Sequence, residues 1–597
     1  VRGSTLLIWF ALTLVASLAS ADPKERAARV QDLVEDAKRR LEFGDFDQRR
    51  LAIQDIEQAA VLAPHDPVVL DALGRTYLEC GFIHLAQAAF TRELRDASDR
   101  ASALLGLGRV AARDWLETGD PRSLDRGLRR LNEATRAGPD RYEAWIELAA
   151  LTLESGDAER ARQDAMHALA AAPDRPEARL AAAYLSYRRG QVALADSLFA
   201  VTLRRLSPEV AAHFDDLTPL LPRDDAERFA VMNAEQRAAF ARRFWIANNP
   251  DPTSPYNLAR LEFWSRLAHA MMLFGKPWSP RWVGRTELYA RYGRKVQVAD
   301  SKASRHYEMP WLELGEVATP PTPEALASLG QLTTGGGQAV FAPLPPGSHE
   351  LPLAWKLARF EGDDRGRLIV ALGTRGPPDD SIGAECAVLD RDERVMARAS
   401  GVLHASACDP GNRRATEFSF DVPAGVYRIA IAVRDRHGGC GLRNTFEEVG
   451  AIAPALSMSD VVVTCGLPGP LTGATGVRLD PNLGSSVAGS APVLAYFEVY
   501  RLRTDPRGGN HFEYQYEIQA LDRDFQGDRS LLSFHTEQEG AGSMRRQFIS
   551  VPAGTLKPGR YRLVVAIRDR ISGAETGRVT EFLKLGETEA ATGMGKP

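Results

Sequence analysis

Between residues 30 and 210 the apolar and small positions recur with a period of 34 residues. The clearest copy starts at Pro67. Leu70, Leu73, Gly74 and Tyr77 follow at helical steps and predict a first helix, Gly81 marks a turn, and Ala86 and Phe90 lie on a second helix. A copy from Tyr142 places Trp145, Leu148, Ala149, Gly156, Ala161, Ala168 and Pro173 at equivalent positions. One from Pro176 places Ala183, Gly190, Ala195 and Phe199. A partial copy ends at Pro64, with Ala52, Ile56 and Ala59 on its second helix. Another spans 101–141 with seven extra residues, placed in "WLETGDPRSLDRG". The total is about five helix pairs, above the roughly three that a stacked array needs.

The pattern then changes twice. Leu217, Leu220, Leu221 and Phe229 are placed to seal the last repeat. Asn233 and Gln236 have the spacing of a capping box before the helix "RAAFARRFWIANN". "PDPTSP" breaks that helix, because each proline removes a donor and restricts the residue before it. A second helix, "NLARLEFWSRLAHAMMLFG", carries Leu258, Leu261, Trp264, Leu267, Ala268 and Met271 at three- and four-residue steps. "TELYARYG" alternates and reads as a strand. Residues 319–352 are rich in Pro, Gly and Thr and read as a linker with at most one short helix, "PEALASLG". From His349 the period is two. "VPAGVYRIAIAVRDRHGG" (422–439) matches "VPAGTLKPGRYRLVVAIRDRISG" (551–573), so a β-module is duplicated.

Period and small-residue placement identify the helix pairs as tetratricopeptide repeats, in which small residues let paired helices approach. The Gly-x-Tyr entries, Gly425-Val426-Tyr427 and Gly559-Arg560-Tyr561, resemble the tyrosine corner of immunoglobulin-like sandwiches. The middle stretch has Phe244-Trp245, Asp251-Pro252-Thr253, Asn257, Phe263, Arg266, Ala268, Ala270 and then Tyr289, Arg291, Tyr292 and Gly293. On these residues it resembles the GWxTD domain of secreted bacterial proteins, over about a hundred residues. "SPRWVGRTE" stands where that family has Gly-Trp-x-Thr-Asp-Arg-Gly, and "RKVQ" replaces Pro-Pro-Asp. The resemblance implies a location and a domain plan, since the family's biochemical role is not established. If the family's Asp does chemistry, this copy lacks the residue for it.

The expected fold is multidomain α+β. It comprises a signal peptide (1–21), a tetratricopeptide-repeat α-solenoid (22–210), a small mixed α/β GWxTD-like domain (211–315) and a linker (316–350). Two immunoglobulin-like β-sandwich modules follow (351–465 and 466–590). Arg2, the 13-residue apolar run 6–18 and Ala19-Ser20-Ala21 have the layout of a secretory signal, which implies a periplasmic or extracellular protein. Net charge is −4 with both signs mixed, which excludes a nucleic-acid stripe or a basic membrane patch. Four of five cysteines fall in the first β-module. An oxidising compartment predicts at least one disulfide there. The simplest of the three possible pairings is Cys386–Cys408 with Cys440–Cys465, leaving Cys80 free.

Catalytic motifs are absent: there is no H-E-x-x-H, phosphate loop, G-x-S-x-G or dinucleotide fingerprint. "DRDFQGD" (522–528) copies half a calcium loop, with Ser533 where a bidentate Glu belongs, and reads as a polar hairpin. Arg434-Asp435-Arg436 and Arg568-Asp569-Arg570 read as charged strand ends rather than as a binding site. Neither a metal nor a cofactor is implied. Candidate binding residues are Tyr184, Tyr187 and Arg188 on the last repeat, weighed against ordinary inter-repeat packing, and Trp278 and Trp282 in a Pro-rich loop. Clustered tryptophans more often form the core of a small domain. The chain therefore reads as a non-catalytic interaction or scaffold protein of the bacterial envelope, with a protein or peptide partner on the repeats. The alternative is a cryptic hydrolase or carbohydrate-active protein using the tryptophan-rich middle domain.

Overall fold

A computed structural model describes residues 23–274, 290, 299–300, 305–306 and 343–586, apart from 44–45, 97–98, 363, 376–380, 467–468, 471–476, 481 and 522–529. The expected signal peptide, most of the linker, Trp278, Trp282 and the "DRDFQGD" loop lie outside the described residues. Of the run expected as a strand at 286–293, Ala290 is described, and it is helical and buried. The described chain forms two compact units. One takes its residues from Val1–Ala241 and Arg260–Phe341, the other from Arg242–Ala259 and Ala342–Pro597. The stretch expected as one domain at 211–315 is thus shared between them.

The first unit is built from antiparallel helix pairs: α1 (Pro23–Phe43) with α2 (Phe46–Leu62), α3 (Pro67–Glu79) with α4 (Ile83–Asp96), and α5 (Arg100–Thr118) with α6 (Pro121–Ala137). Then come α7 (Tyr142–Glu154) with α8 (Ala158–Ala171), and α9 (Pro176–Arg188) with α10 (Val192–Leu203). Each first helix also packs on the pair before it, so this is a tetratricopeptide-like array. Its period has a backbone cause. Gly156 and Gly190 close α7 and α9 at φ 96° and 73°, where an L side chain is strained. Gly74 has a packing cause: an added Cβ would lie 2.6 Å from the Phe90 ring. The seven extra residues at 101–141 lengthen helices instead of forming a loop. α5 has 19 residues where α3, α7 and α9 have 13.

Glu93 on α4 is buried in this array, and burial followed by the nearby Asp71 charge pushes its carboxyl up to about 7. Its folded pKa lies above its unfolded one, so its contribution is fully present below pH 4.5 and lost as pH rises through 7. Glu93→Gln therefore stabilises the array at pH 8, by on the order of 2–3 kcal/mol, and leaves it nearly unchanged at pH 4.5. Thermal melts of both proteins at the two pH values check this.

Beyond the repeats lie α11 (Pro208–Asp215), a 3₁₀ turn (Thr218–Leu220), α12 (Arg223–Val231), α13 (Ala234–Ala247) and α14 (Leu258–Phe274). Leu217, Leu220, Leu221 and Phe229 are buried, as their spacing predicts. The capping box forms: the Asn233 amide donates to Gln236 Oε1 and the Gln236 amide to Asn233 Oδ1, both at 3.0 Å.

The second unit holds two sandwiches. In the first, β1 (His349–Glu350), β9 (Gly439–Val449), β8 (Gly425–Arg434), β4 (Gly383–Leu389) and β5 (Val395–Val402) make one sheet in that order. The facing sheet is β2 (Ala354–Glu361), β3 (Gly366–Arg375), β7 (Asp409–Val422) and β6 (His404–Ser406). Tyr427, Ile429, Ile431 and Val433 point into the core between them, as the alternation predicts. The second sandwich repeats the plan. β12 (Ser486–Ala488), β18 (Glu575–Leu585), β17 (Gly559–Asp569), β14 (Gly509–Ala520) and β15 (Ser530–Ala541) form its five-stranded sheet, with β12 again parallel to its neighbour. β10 (Ser457–Met458), β11 (Val462–Thr464), β13 (Val493–Tyr500) and β16 (Met544–Val551) form the other. β10 and β11 precede the boundary expected at 466, yet pair with β13 of the second sandwich.

Both tyrosine corners are present. Tyr427 Oη donates to Pro423 O and Tyr561 Oη to Lys557 O, each at 2.8 Å. The disulfide pairing differs from expectation: Cys408 bonds Cys465, while Cys80, Cys386 and Cys440 are free. Register explains it. Cys386 pairs with Ile431 and faces the core, whereas Cys440 pairs with Arg434 on the opposite face of the same sheet. The bond that forms ties the β6–β7 hairpin of one sandwich to the segment after β11 of the other. Ala358, Phe360 and Ile369 pack on Val462, Leu479 and Tyr496 between the sandwiches. Glu498 is buried there and accepts the Tyr496 and Tyr500 hydroxyls at 2.6 and 2.7 Å.

Candidate interaction site

The first helices of the last three repeats carry a surface that α14 fills. Trp264 donates its indole N–H to Phe214 O at 3.1 Å, and its ring lies 5.8 Å from Phe199. One turn on, His269 stacks on Tyr184 at 4.5 Å and 15°, with its Nε2 3.5 Å from Glu154 Oε1. At the far end Leu273 joins the buried cluster of Leu104, Trp115, Leu148 and Leu151. α14 thus runs from the fifth repeat to the third. The candidate patch is corrected accordingly: Tyr184 and Tyr187 are each 4% exposed, and Arg188 alone of the three faces solvent. Burial, then the Glu262 charge, pushes the Tyr187 hydroxyl well above the ordinary range. A residue-level signal for this did exist. Leu261, Phe263, Trp264, Leu267, Met271, Met272 and Leu273 wrap α14 on more than one side, the mark of a helix covered all round.

The same surface is open further along the array. Val68, Arg75 and Glu79 share one face of α3 and are exposed, Val68 at 69%. Of their repeat equivalents, Ala150 on α7 and Tyr184 on α9 are buried and the Glu154 side chain is covered, while Arg188, the equivalent of Glu79 on α9, is exposed. Position 68 holds Val and 72 Ala, so a basic clamp for a terminal carboxylate is missing there.

In the second unit, residues 246–253 lie across the outer face of the β1-β9-β8-β4-β5 sheet. Arg428 donates to the carbonyls of Ile246 at 3.1 Å and Asn249 at 2.8 Å, near the end of α13 where unpaired carbonyls concentrate. Arg434 pairs with the buried Asp251 carboxylate and donates to Thr253 Oγ1 at 3.1 Å. Asn444 donates to Pro250 O and Arg398 to Pro252 O, both at 3.0 Å. Asp251 Oδ1 meanwhile accepts the Thr253 and Ser254 amides, which makes an Asx turn. The Arg434 strand end, read from sequence as a solvated shoulder, is therefore an anchor for the Asp-Pro-Thr turn.

Elsewhere the chemistry is sparse. Among the described residues, one group of three could ligate a metal: Glu513, His535 and Glu537. Arg570 already bridges both carboxylates, at 3.1 and 2.6 Å. A cavity of about 200 Å³ between β2, β3 and β11 is lined by Lys356, whose ammonium burial holds down to about 8, among mostly apolar neighbours.

No family model matches the chain, and no characterised protein does so by sequence. Solved structures do. A tetratricopeptide-repeat protein of Thermus thermophilus, TTC0263, is 21% identical, with a TM-score of 0.28 over 30% of this chain and 93% of its own. Pseudomonas aeruginosa PilF is 17% identical, with a TM-score of 0.27 over 36% and 90%. MamA is 16% identical, with a TM-score of 0.22 over 27% and 89%. Among the described residues no helix is long and apolar enough to cross a membrane.

Proposed function

We propose that this protein is an exported, non-catalytic interaction scaffold of the bacterial envelope that holds a protein or peptide partner on its N-terminal repeats. One observation carries the reading. The array already packs a helix along the first helices of its last three repeats, and the same surface continues, exposed, on α3. Solenoids present such surfaces to extended or helical partners. The signal-like start and the Cys408–Cys465 bond support export into an oxidising compartment. The degenerate GWxTD resemblance supports a secreted bacterial origin. The tyrosine corners and the sheet order support immunoglobulin-like modules, which act as spacers or a second docking surface.

A photo-crosslinking residue in place of Arg75, in the full chain added to native envelope extract, tests the binding claim. The expected result is one dominant adduct that Val68→Asp abolishes. Adducts absent at position 75, yet abundant from a crosslinker at Arg188, would place the partner elsewhere and reject the reading.

A further inference from the structure

The seam between the two sandwiches is closed at one step of the strands and hollow at the next. On the face of β2 and β3 turned to the second sandwich, Ala358 stands opposite Ile369 and packs with Phe360 against Val462 and Tyr496. One pair further on the same face, Lys356 stands opposite Ala371, and Ala371 stands beside Glu417 of β7. A small residue between two long ones leaves the seam unfilled. The cavity of about 200 Å³ opens there, with Val461, Val462 and Val463 as its wall from the second sandwich and Thr580 of β18 on its lining.

Lys356 brings the one cationic group to this lining, and burial alone lowers its ammonium to about 8, with no neighbouring charge contributing. The carboxylates close by are engaged elsewhere. Asp460, also on the lining, accepts the Arg359 amide at 2.9 Å and pairs with the Arg359 guanidinium at 3.5 Å. Glu417 accepts the Leu479 amide at 2.9 Å and the Asp480 amide at 3.2 Å. A desolvated ammonium without a counter-ion costs stability that an apolar side chain in the same place would not.

We propose that this cavity is a binding site for a small carboxylate with an apolar body, its anionic end on the Lys356 ammonium and its hydrocarbon over Ala371 against Val462. Size fits this class. A dry apolar cavity of about 150 Å³ admits benzene, so a short-chain or aromatic acid suits the present one. Charge and lining select it. An amine would meet a like charge, a neutral molecule would leave the ammonium unpaired, and inorganic phosphate has nothing to set against the valines. Thr580 adds a hydroxyl to the lining, a second donor for the carboxylate.

The test is calorimetric titration of the full chain with hexanoate and with benzoate. Saturable one-site binding is expected at pH 7. It weakens about tenfold by pH 9, because the free ammonium loses its proton through pH 8. Hexanol, the neutral counterpart, binds at least about tenfold more weakly, since a hydrogen bond to a charged group is worth about that factor or more. Lys356→Met weakens hexanoate by the same factor and raises the melting temperature of the free protein. Ala371→Leu fills the hollow and removes binding with Lys356 still in place, and its melting curve checks that the fold is kept. Any of four results would overturn the proposal: no saturable binding of either acid at about 10 mM, hexanol binding as tightly as hexanoate, affinity unchanged in both variants, or a lower melting temperature in Lys356→Met. The last would mean that the ammonium has a structural partner.

Discussion

Trp264→Ala is expected to lower the melting temperature of the repeat unit by roughly 10 °C. A buried Trp→Ala change costs about 3–5 kcal/mol, and each kcal/mol moves a unit of this size by about 2–4 °C. The indole is nearly buried, donates to Phe214 O and packs on Phe199, while the Arg260 guanidinium lies 4.7 Å from the ring centroid. Losing the ring removes the contact that fixes one end of α14. The rest of the helix is held by the Tyr184–His269 stack and by Leu273. The variant should therefore keep its helical circular dichroism at 20 °C and unfold earlier. An unchanged melting curve would mean that α14 does not support the array.

The second large effect concerns Cys408–Cys465. The bond closes a sequence separation of 57 residues, and the chain-entropy relation gives about 4 kcal/mol for a loop of that size. Cys408→Ser with Cys465→Ser should lower the stability of the β-half by that amount, read as an earlier denaturation midpoint. Cys386→Ser, by contrast, changes a thiol that burial pushes up to about 12, and removes no cross-link. Non-reducing peptide mapping should show the Cys408–Cys465 pair and three free thiols. A Cys386–Cys408 peptide would contradict the register that turns Cys386 into the core.

What the sequence made legible follows from how local each cause is. The repeats were readable because Gly156 and Gly190 answer a local need, a left-handed residue at each helix end. The tyrosine corners were readable for the same reason, as each hydroxyl reaches back four residues. The disulfide was not, because pairing depends on which face of a sheet Cys386 and Cys440 occupy, and that is set by strand register. For Tyr184 and Tyr187 the sequence leaves a binding patch and packing both open, because what covers them is α14, some 80 residues on. A helix face reads the same whether water or another helix lies on it. The Asp251 anchor is half visible: the Asp-Pro-Thr turn and the Arg-Asp-Arg strand end both stand in the sequence, and only the fold joins them.

The binding proposed for the repeats depends on α14 filling the inner surface of the last three while α3 stays open. Hydrogen–deuterium exchange on the full chain reads this directly. Amides of 261–273 should be protected as strongly as those of 178–187, and Trp264→Ala should loosen both together. Exchange of 261–273 within seconds, while 178–187 stays protected, would contradict it.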